Sequence, residues 1–575
     1  MIHMKWYGWG DNEKTFVMDD KPELWPYIKK ITGLKDSSPF TPPIQLSDVE
    51  VPPANLDPEA FSAIKASLQA HQLKCDDYDR LIHCYGKSYR DLLRIRKGMI
   101  DSAPDCVCYP ESEQDVLNII NLAQEYNFIV IPFGGGSNIV GCIEVLDAEN
   151  RMVVTMDMRK MNRVLSVDKM SLTATIQAGA LGPILEEQLN QLGVTLGHFP
   201  DSFEYSTLGG WIATRSAGMQ SDKYGKIEDM VLSLRMVTPQ GIIITKSVPK
   251  ASNGIDINHL CIGSEGILGV ITEATLLVRP VPECREFYGY LFPSFEDGIA
   301  AIYECERSDC MPVITRLNDS DKTALSFAYK TKEPFLQHIL SKAVKWYLKN
   351  IKHLDFNKVC LMLVAFEGNK KSVKRHRNQV NAIYKKFGAF PLGSKPGKSF
   401  EKGKYDFPYL RDYVMDYGLI ADVSETSTSW SNLLPLYKST RENILNAMKV
   451  TGAMPWCGCH VSHNYHSGAS LYFTFACQQT TNDAEAQYLY IKKAAEDSFV
   501  NNGGCLSHHH AVGYEHLPWL EHDVSATGLR AILAIKNGLD SQNIMNPGKL
   551  VVEPESVYEE MEEEIEEDFE EDMAR

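Results

Sequence analysis

The chain has 575 residues and a formal net charge of −17, from 58 lysines and arginines against 75 aspartates and glutamates. Residues 553–575 hold 13 of the acids and one base, which leaves 62 acids and 57 bases, a net charge of −5, in residues 1–552. This balance excludes a generally basic nucleic-acid-binding protein. No segment approaches the roughly 18 consecutive apolar residues of a membrane-spanning helix. We therefore expect a multidomain globular body with an acidic tail and no nucleic-acid partner.

Residues 1–100 predict an arm rich in Trp and Pro followed by a helical region, and residues 101–282 alternate β-rich runs with helices. Glycines mark the joints between these elements, as they commonly do where a chain turns. The periodicity predicts helices at 113–126 and 181–192, and strands at 128–132, 151–156, 171–177, 231–237, 242–245 and 269–278.

Residues 283–505 again mix strands and helices, and residues 506–552 predict a His-rich loop followed by a helical segment. The pattern favours helices at 336–349, 370–386 and 525–537 and a strand at 471–475. In the tail, an apolar residue recurs every fourth position from Val557 to Met573 on a strongly acidic background. Because like charges repel along a helix, we expect a partly helical, solvated tail; the alternative is a helix that docks on a partner protein.

A glycine loop, Gly134-Gly135-Gly136, directly follows the predicted strand at 128–132. It is not a Rossmann fingerprint, because Ile139 stands where the last glycine is required. Glycines still allow the backbone to approach a ligand and to point N–H groups at a diphosphate. Three later loops, at 200–210, 214–218 and 263–272, are also rich in Gly, Ser and Thr, so the four together could wrap an extended dinucleotide.

These four segments resemble the FAD-binding domain of the vanillyl-alcohol-oxidase-type flavoproteins, also called the p-cresol-methylhydroxylase (PCMH) type. More narrowly, the chain resembles the alkyldihydroxyacetonephosphate synthases, through 5–10, 206–215, 225–229, 270–275, 279–282 and 503–510. The resemblance implies an α+β fold, with a two-subdomain FAD-binding domain and a C-terminal α+β cap domain that binds substrate. The expected boundaries are 1–100 for the arm and helical region, 101–282 for the FAD-binding domain, 283–505 for the cap, 506–552 for the His-rich loop and C-terminal helical segment, and 553–575 for the acidic tail.

The resemblance implies FAD as cofactor, and the glycine loop offers Ser137 and Asn138 where many relatives place a His or Cys that links the flavin covalently. We therefore expect noncovalent FAD. The predicted cofactor contacts are Phe133, Gly134, Gly135, Gly136, Ser137, Asn138, Ile139, Asp201, Ser202, Phe203, Glu204, Tyr205, Ser206, Thr207, Thr214, Arg215, Ser216, Ala217, Glu265, Gly266, Ile267, Leu268, Gly269, Val270 and Ile271.

Five further residues match catalytic positions of the family. Tyr465 matches a tyrosine with acid/base duty, and the triplet His508, His509 and His510 matches an active-site histidine run. Arg316 matches an arginine near the flavin. Imidazoles can donate or accept protons near neutral pH, whereas a phenol with its free pKa of about 10 must be tuned by its neighbours.

One residue, Arg411, matches a substrate-binding arginine of the family, and its guanidinium fork suits a phosphate monoester. Glu425, Thr426 and Trp430 resemble a family segment that lines the site. A metal site is not expected at 457–463, because no second cysteine pair lies nearby and residues three apart on an extended segment face opposite sides.

The implied reaction is a non-redox use of flavin in ether-lipid biosynthesis. The acyl chain of acyl-dihydroxyacetone phosphate is exchanged for a long-chain fatty alcohol, which gives the alkyl ether and a fatty acid. The main alternative is an FAD-dependent 2-hydroxy-acid oxidase or dehydrogenase on the same fold, and a third is a catalytically silent scaffold that docks a partner through its acidic tail. The resemblance also implies a homodimer, peripheral membrane contact and, although no targeting signal is visible, a peroxisomal location.

Overall fold

The computed structural model describes residues 3–146, 148–331, 346, 350, 354–552 and 557–574. These residues form α-helices and four β-sheets, which confirms the α+β prediction. The helix predicted at 336–349 lies outside the described residues apart from residue 346. None of the described helices combines the length and the apolar character needed to cross a bilayer.

The helices and the strands have the following bounds. The described helices are Leu24–Thr32, Pro58–Ser67, Asp77–Leu81, Tyr89–Arg96, Glu113–Tyr126, Gly182–Gln191, Leu208–Ala213, Ser221–Tyr224, Ile227–Met230, Ile257–Cys261, Phe295–Arg307, Ser320–Ala328, Lys370–Lys386, Lys395–Gly403, Phe407–Met415, Leu433–Val450, Ala484–Asn501, Leu520–Leu539 and Val557–Ala574. The described strands are Leu73–Lys74, Cys106–Cys108, Ile129–Phe133, Val153–Asp157, Val164–Asp168, Thr173–Gln177, Val194–Thr195, Val231–Thr238, Gly241–Ile244, Val270–Leu277, Arg279–Pro280, Cys284–Phe292, Ile314–Asn318, Cys360–Gly368, Phe390–Gly393, Leu419–Ser429, Trp456–Asn464 and Gly468–Gln478.

A four-stranded sheet forms the first half of the nucleotide-binding region. Its order is Leu73–Lys74, Cys106–Cys108, Val153–Asp157 and Ile129–Phe133, and the last three strands are parallel. Helix Glu113–Tyr126 has its predicted bounds, because Ser112 and Asp115 form a capping box at its start. Since the first strand of this sheet precedes residue 101, helix Pro58–Ser67 packs into the core of the same sheet, whereas helix Tyr89–Arg96 packs into the core of the cap.

A five-stranded antiparallel sheet forms the second half. Its order is Val164–Asp168, Thr173–Gln177, Val270–Leu277, Val231–Thr238 and Gly241–Ile244. The last four strands were expected from their β-rich runs. The edge strand was not, because most of its side chains are half-buried or exposed and no apolar alternation marks it.

The cap contains a seven-stranded antiparallel sheet, with the order Phe390–Gly393, Cys284–Phe292, Cys360–Gly368, Ile314–Asn318, Trp456–Asn464, Gly468–Gln478 and Leu419–Ser429. The predicted strand at 471–475 is the centre of the long strand Gly468–Gln478. Alternate side chains of a strand face opposite sides of the sheet. Leu471 and Phe473 therefore lie in the core of the cap, whereas Tyr472 and Thr474 face the large cleft described below.

The segment after the cap returns to the first sheet. The backbone N–H of Val130 donates to the carbonyl of Ile544 at 2.8 Å, and the side-chain amide of Asn546 donates to the carbonyls of Cys142 at 3.1 Å and Glu265 at 2.8 Å. Residues 544–546 thus bind the first sheet and the segments next to the glycine-rich loops, so residues far apart in sequence stabilise the cofactor region.

The acidic tail is not simply solvated, because helix Val557–Ala574 packs against the body of the same chain. Phe569 is 4% exposed and stacks on Tyr490 with ring centroids 4.0 Å apart. The carboxylate of Asp572 accepts the backbone N–H of Asp483 at 3.0 Å. The expectation of a solvated tail is therefore wrong for this helix, since the apolar stripe meets an apolar surface whose burial outweighs the repulsion among the acids.

We expect Phe569→Ala to release this helix. Truncating a buried aromatic side chain costs about 3 kcal/mol, which raises the undocked population on the order of 100-fold. Cleavage of the native protein by a glutamate-specific protease within residues 557–574 should accelerate accordingly, because proteolysis follows the open population when opening is fast. Met573→Ala is the matched control, since Met573 lies on the same helix and is 50% exposed. Equal cleavage rates for both variants would contradict the docking.

Candidate active site

A cleft between the nucleotide-binding region and the cap encloses about 2180 Å³, including its open mouth. All four glycine-rich segments contribute to it. The predicted cofactor contacts that line it are Phe133, Gly134, Gly135, Gly136, Ser137, Asn138, Ile139, Asp201, Ser202, Ser206, Thr207, Thr214, Ser216, Ala217, Glu265, Gly266, Gly269, Val270 and Ile271.

Six predicted contacts lie outside this lining: Phe203, Glu204, Tyr205, Arg215, Ile267 and Leu268. The aromatic and aliphatic members are buried behind the loops. The Arg215 guanidinium turns away and donates to the carbonyl of His259 at 3.4 Å. The prediction included whole runs of sequence. The first glycine loop lines the cleft along its full predicted length, whereas the three later loops each present only part of theirs.

The glycine loop lies directly against the loop that ends in Thr207. A Cβ on Gly135 would lie 1.6 Å from the carbonyl oxygen of Tyr205, and one on Gly134 would lie 2.3 Å from the hydroxyl of Thr207. Real Cβ atoms do not approach this closely, so position 135 requires glycine, and a side chain at position 134 would displace the Thr207 hydroxyl. The resulting cradle of bare backbone is the feature that a diphosphate needs for close approach.

We expect Gly135→Ala to abolish or strongly weaken FAD binding. The added methyl would collide with the backbone carbonyl of Tyr205, and a backbone atom cannot rotate away as a side chain can. The flavin absorbance per mole of purified protein measures the effect. Gly538→Ala is the control, because a Cβ there meets nothing within 4 Å. Normal flavin content in Gly135→Ala would show that these two loops do not form the cofactor cradle.

Arg411 lines the cleft from the cap side, on helix Phe407–Met415. Its Nη1 donates to the carbonyl of Lys87 at 2.7 Å, while the buried Nε and Nη2 have no hydrogen-bond partner among the described residues. Buried cationic N–H groups without partners are rare in folded proteins. Two of them on one guanidinium form a ready fork for a phosphate or carboxylate.

Beyond Arg411 the wall of the cleft becomes apolar. This part is lined by Ile28, Ile31, Leu325, Val414, Leu419 and Trp456. Such a surface favours a hydrocarbon chain, because each buried CH₂ contributes about 0.8 kcal/mol. The cleft therefore joins an anion-binding group to an apolar channel.

Glu425 lies on strand Leu419–Ser429 and fixes the position of the histidine triplet. Its Oε1 accepts the backbone N–H groups of His508 at 3.0 Å, His509 at 2.9 Å and His510 at 3.0 Å, and the hydroxyl of Ser507 at 3.0 Å. Burial alone would raise the pKa of Glu425, but the charges of His509 and His510 hold that pKa well below its usual range. A buried carboxylate thus fixes the backbone of the whole triplet.

Tyr465 and two histidines form a chain of hydrogen-bonding groups. The Tyr465 hydroxyl lies 2.6 Å from Nε2 of His508, whose Nδ1 lies 2.9 Å from Nδ1 of His509. Among the described residues, His509 and His510 line the cleft but Tyr465 does not. Tyr465 therefore reaches the cleft through His508 and His509. Burial, followed by the charge of Asp222, raises the pKa of the Tyr465 phenol, so the phenol keeps its proton at neutral pH.

Arg316 lines a smaller adjoining cavity, together with Asp201 and His509, and this cavity measures about 460 Å³ including its opening to solvent. Sequence reasoning missed its neighbour Lys322, whose Nζ lies 2.9 Å from Nδ1 of His460 and 2.6 Å from the hydroxyl of Thr474. Burial and then the charge of Arg316 lower the pKa of Lys322 to about 7. No local pattern around Lys322 marks it, because its partners lie more than a hundred residues away.

The family models match in two blocks. A model described as "FAD binding domain" matches residues 104–247, and one described as "FAD linked oxidases, C-terminal domain" matches residues 281–550. These matches fit the cradle of glycines and the cap, and they show that FAD is the cofactor. The residues present fit the group, because the lining combines bare backbone with the hydroxyls of small side chains.

The most similar proteins include the alkyldihydroxyacetonephosphate synthase of Dictyostelium discoideum, which is 43% identical over 570 residues, 95% of this chain and 93% of the relative. A solved alkyldihydroxyacetonephosphate synthase structure has a TM-score of 0.83 and 41% identity and covers 95% of this chain and 99% of that chain. A p-cresol methylhydroxylase structure with substrate bound shares the fold with a TM-score of 0.62 and 13% identity, over 85% of this chain and 96% of that chain.

The predicted fold, a two-subdomain FAD-binding domain of the PCMH type with a C-terminal cap, is confirmed by these likenesses. Sequence identity of 41–43% with synthases, over 95% of this chain, favours the synthase prediction over the 2-hydroxy-acid oxidase alternative. The chain belongs to the alkyldihydroxyacetonephosphate synthase family of FAD-binding enzymes.

Proposed function

We propose that this protein catalyses the FAD-dependent, non-redox exchange of the acyl chain of acyl-dihydroxyacetone phosphate for a long-chain fatty alcohol. The products are alkyl-dihydroxyacetone phosphate and a fatty acid. One observation carries the proposal: a single cleft joins the FAD cradle, the unpaired N–H groups of Arg411, His509 and His510 of the histidine triplet, and an apolar channel. A phosphate-bearing lipid needs all of these features together.

The cofactor would lie against Gly134–Gly136 and the loops that end in Thr207 and Ala217. When bound, FAD supplies covalent catalysis at the substrate carbon that exchanges its oxygen substituent, which divides a slow displacement into two steps. The protein's own task is to orient the phosphate, exclude water and supply protons at that carbon and at the alcohol oxygen.

Arg411 binds the substrate phosphate through Nε and Nη2, which have no hydrogen-bond partner among the described residues, although Nε lies 4.0 Å from Oδ1 of Asp412. The apolar residues beyond it hold the hydrocarbon chain, which fixes the position of the reacting carbon between the two anchors. Positioning of this kind supplies a large part of the rate enhancement in reactions of two bound partners. Arg316, in the adjoining cavity, would stabilise negative charge that develops near the flavin.

The chain Tyr465–His508–His509 moves the proton. The neutral phenol donates to Nε2 of His508, so the proton of His508 resides on Nδ1 and points at Nδ1 of His509. His509 then presents its Nε2–H to the cleft as an acid for the departing carboxylate. After that transfer the same atom accepts the proton of the incoming alcohol.

An anaerobic assay tests the proposal. The FAD-loaded enzyme is mixed with acyl-dihydroxyacetone phosphate and hexadecanol in the absence of oxygen. We expect alkyl-dihydroxyacetone phosphate and free fatty acid in equal amounts. Peroxide formation that depends on a 2-hydroxy acid in air, without alkyl product, would support the oxidase instead.

We further propose that FAD is held without a covalent bond, because the glycine loop offers only Ser137 and Asn138. Acid precipitation should release the yellow flavin into the supernatant. Flavin that stays in the protein pellet would contradict this proposal.

The cellular setting is also proposed from the lipid substrates and the family. We propose a homodimer that contacts a membrane surface in the peroxisome and contributes to plasmalogen synthesis. Sedimentation of the purified protein, flotation with lipid vesicles and imaging of a tagged chain test the three parts separately. A monomer, absence from the floating fraction or a diffuse distribution would contradict the respective part.

A further inference from the structure

Three ligand atoms at the centre of the histidine cluster form a compact triangle. Nδ1 of His508 lies 2.9 Å from Nδ1 of His509, which lies 3.3 Å from Oε2 of Glu425, and the third edge, from Nδ1 of His508 to that oxygen, is 3.8 Å. Tetrahedral Zn²⁺ binds nitrogen and oxygen at about 2.0–2.2 Å, which places neighbouring ligand atoms roughly 3.3–3.6 Å apart. The triangle already has nearly these dimensions.

His463 lies beside the two histidines of this triangle. One ring nitrogen of each of His463, His508 and His509 lies within 4.8 Å of the others. The His463 ring is stacked on that of His508 at 5.2 Å between centroids, and its buried Nδ1 has no hydrogen-bond partner among the described residues. A buried nitrogen without a partner, on a ring that lies beside two other imidazoles, points to a missing ligand.

The surroundings orient these ligands as metal sites require. The other oxygen of Glu425 is held by the backbone N–H groups of the triplet, and Nε2 of His508 is held by the Tyr465 hydroxyl. Such outer contacts fix ring orientation and ligand basicity.

We propose that Glu425, His463, His508 and His509 form a binding site for a divalent transition metal ion of the Zn²⁺ class, and that occupation of this site inhibits the enzyme. A nitrogen and oxygen ligand set favours Zn²⁺ over Mg²⁺ or Ca²⁺. The bound ion takes Nδ1 of His508 and of His509, the two atoms between which the proton passes. The inhibitory part rests on the proposed function, whereas the binding part does not.

Spacing along the chain does not indicate this site. Glu425 lies on strand Leu419–Ser429, His463 near the end of strand Trp456–Asn464, and the two histidines on the loop after residue 504. His463 has a φ of +51°. Asparagine tolerates this left-handed conformation better than most residues, so His463→Asn removes the ligand with little backbone strain.

The test titrates ZnCl₂ into the chelator-treated, FAD-loaded full chain by calorimetry and follows alkyl transfer in parallel. We expect one Zn²⁺ per chain, activity that falls as the site fills, and recovery with a chelator. His463→Asn should bind Zn²⁺ at least about tenfold more weakly, the loss that even outer-shell changes cause. His466→Asn is the control, because His466 is exposed and contacts Arg307 at 2.9 Å instead.

Absence of saturable binding, or binding that His463→Asn leaves unchanged, would overturn the site. Zn²⁺ binding without loss of activity would overturn the inhibitory role. The spectrum of Co²⁺ bound to the unmodified protein gives a test that needs no variant, since tetrahedral nitrogen and oxygen ligation gives intense bands and weak bands would reject the site. Calorimetry and the Co²⁺ spectrum need no turnover, so failure of the proposed function is distinguishable from failure of the metal site.

Discussion

Tyr465→Phe should remove most turnover and leave FAD bound. The substitution deletes only the hydroxyl that lies 2.6 Å from Nε2 of His508, so the proton chain through His508 and His509 loses its terminal donor. Loss of a positioned acid or base lowers rates by about 10²–10⁴-fold. The measurement is anaerobic alkyl transfer from acyl-dihydroxyacetone phosphate to hexadecanol, with flavin absorbance read on the same sample.

A tyrosine that takes no part in the Tyr465–His508–His509 hydrogen-bond chain provides the matched control. Tyr303 is 40% exposed, and Tyr303→Phe makes the same chemical change without touching the histidines. We expect its turnover to equal that of the parent enzyme. If Tyr465→Phe also kept full turnover, the proton chain would be excluded; if it lost FAD, the tyrosine would be structural and not part of proton transfer.

Elements with strong local signals were predictable from the sequence. Helix Glu113–Tyr126 carries its own capping box and an apolar stripe, and Lys370–Lys386 likewise has its predicted bounds. The four glycine-rich loops also come together in one cleft as expected. In these cases the residues that determine the structure are neighbours in the sequence, so a pattern over a few turns is sufficient.

The rest depends on contacts between distant segments. The sequence suggests that Glu425 lines the site. Its carboxylate, however, accepts the backbone N–H groups of His508–His510, which lie on a loop about eighty residues later in the chain. The hydrogen bond between Lys322 and His460 likewise joins residues that are far apart in the sequence. The acidic tail was misjudged because its charge is visible in the sequence, whereas the apolar surface around Tyr490 that receives Phe569 is formed only by folding.

Arg411→Met should lower kcat/KM for acyl-dihydroxyacetone phosphate by on the order of 10²–10⁴-fold, mainly through KM. The guanidinium directs two unpaired N–H groups into the cleft, and each charge-assisted hydrogen bond to phosphate is worth about 1.5–3 kcal/mol. Methionine keeps the unbranched stem and removes only the fork. Steady-state kinetics at saturating hexadecanol measure the effect.

Two further variants separate geometry from charge. Arg411→Lys keeps the positive charge but not the planar fork, so we expect an intermediate loss. Arg375→Met removes an exposed arginine from the cap and should change nothing.

If Arg411→Met lost FAD while the KM of the remaining holoenzyme was unchanged, the guanidinium would bind the cofactor's diphosphate. The substrate phosphate would then need another anchor, and Arg316, which lines the smaller cavity, is the group of the correct charge to provide it.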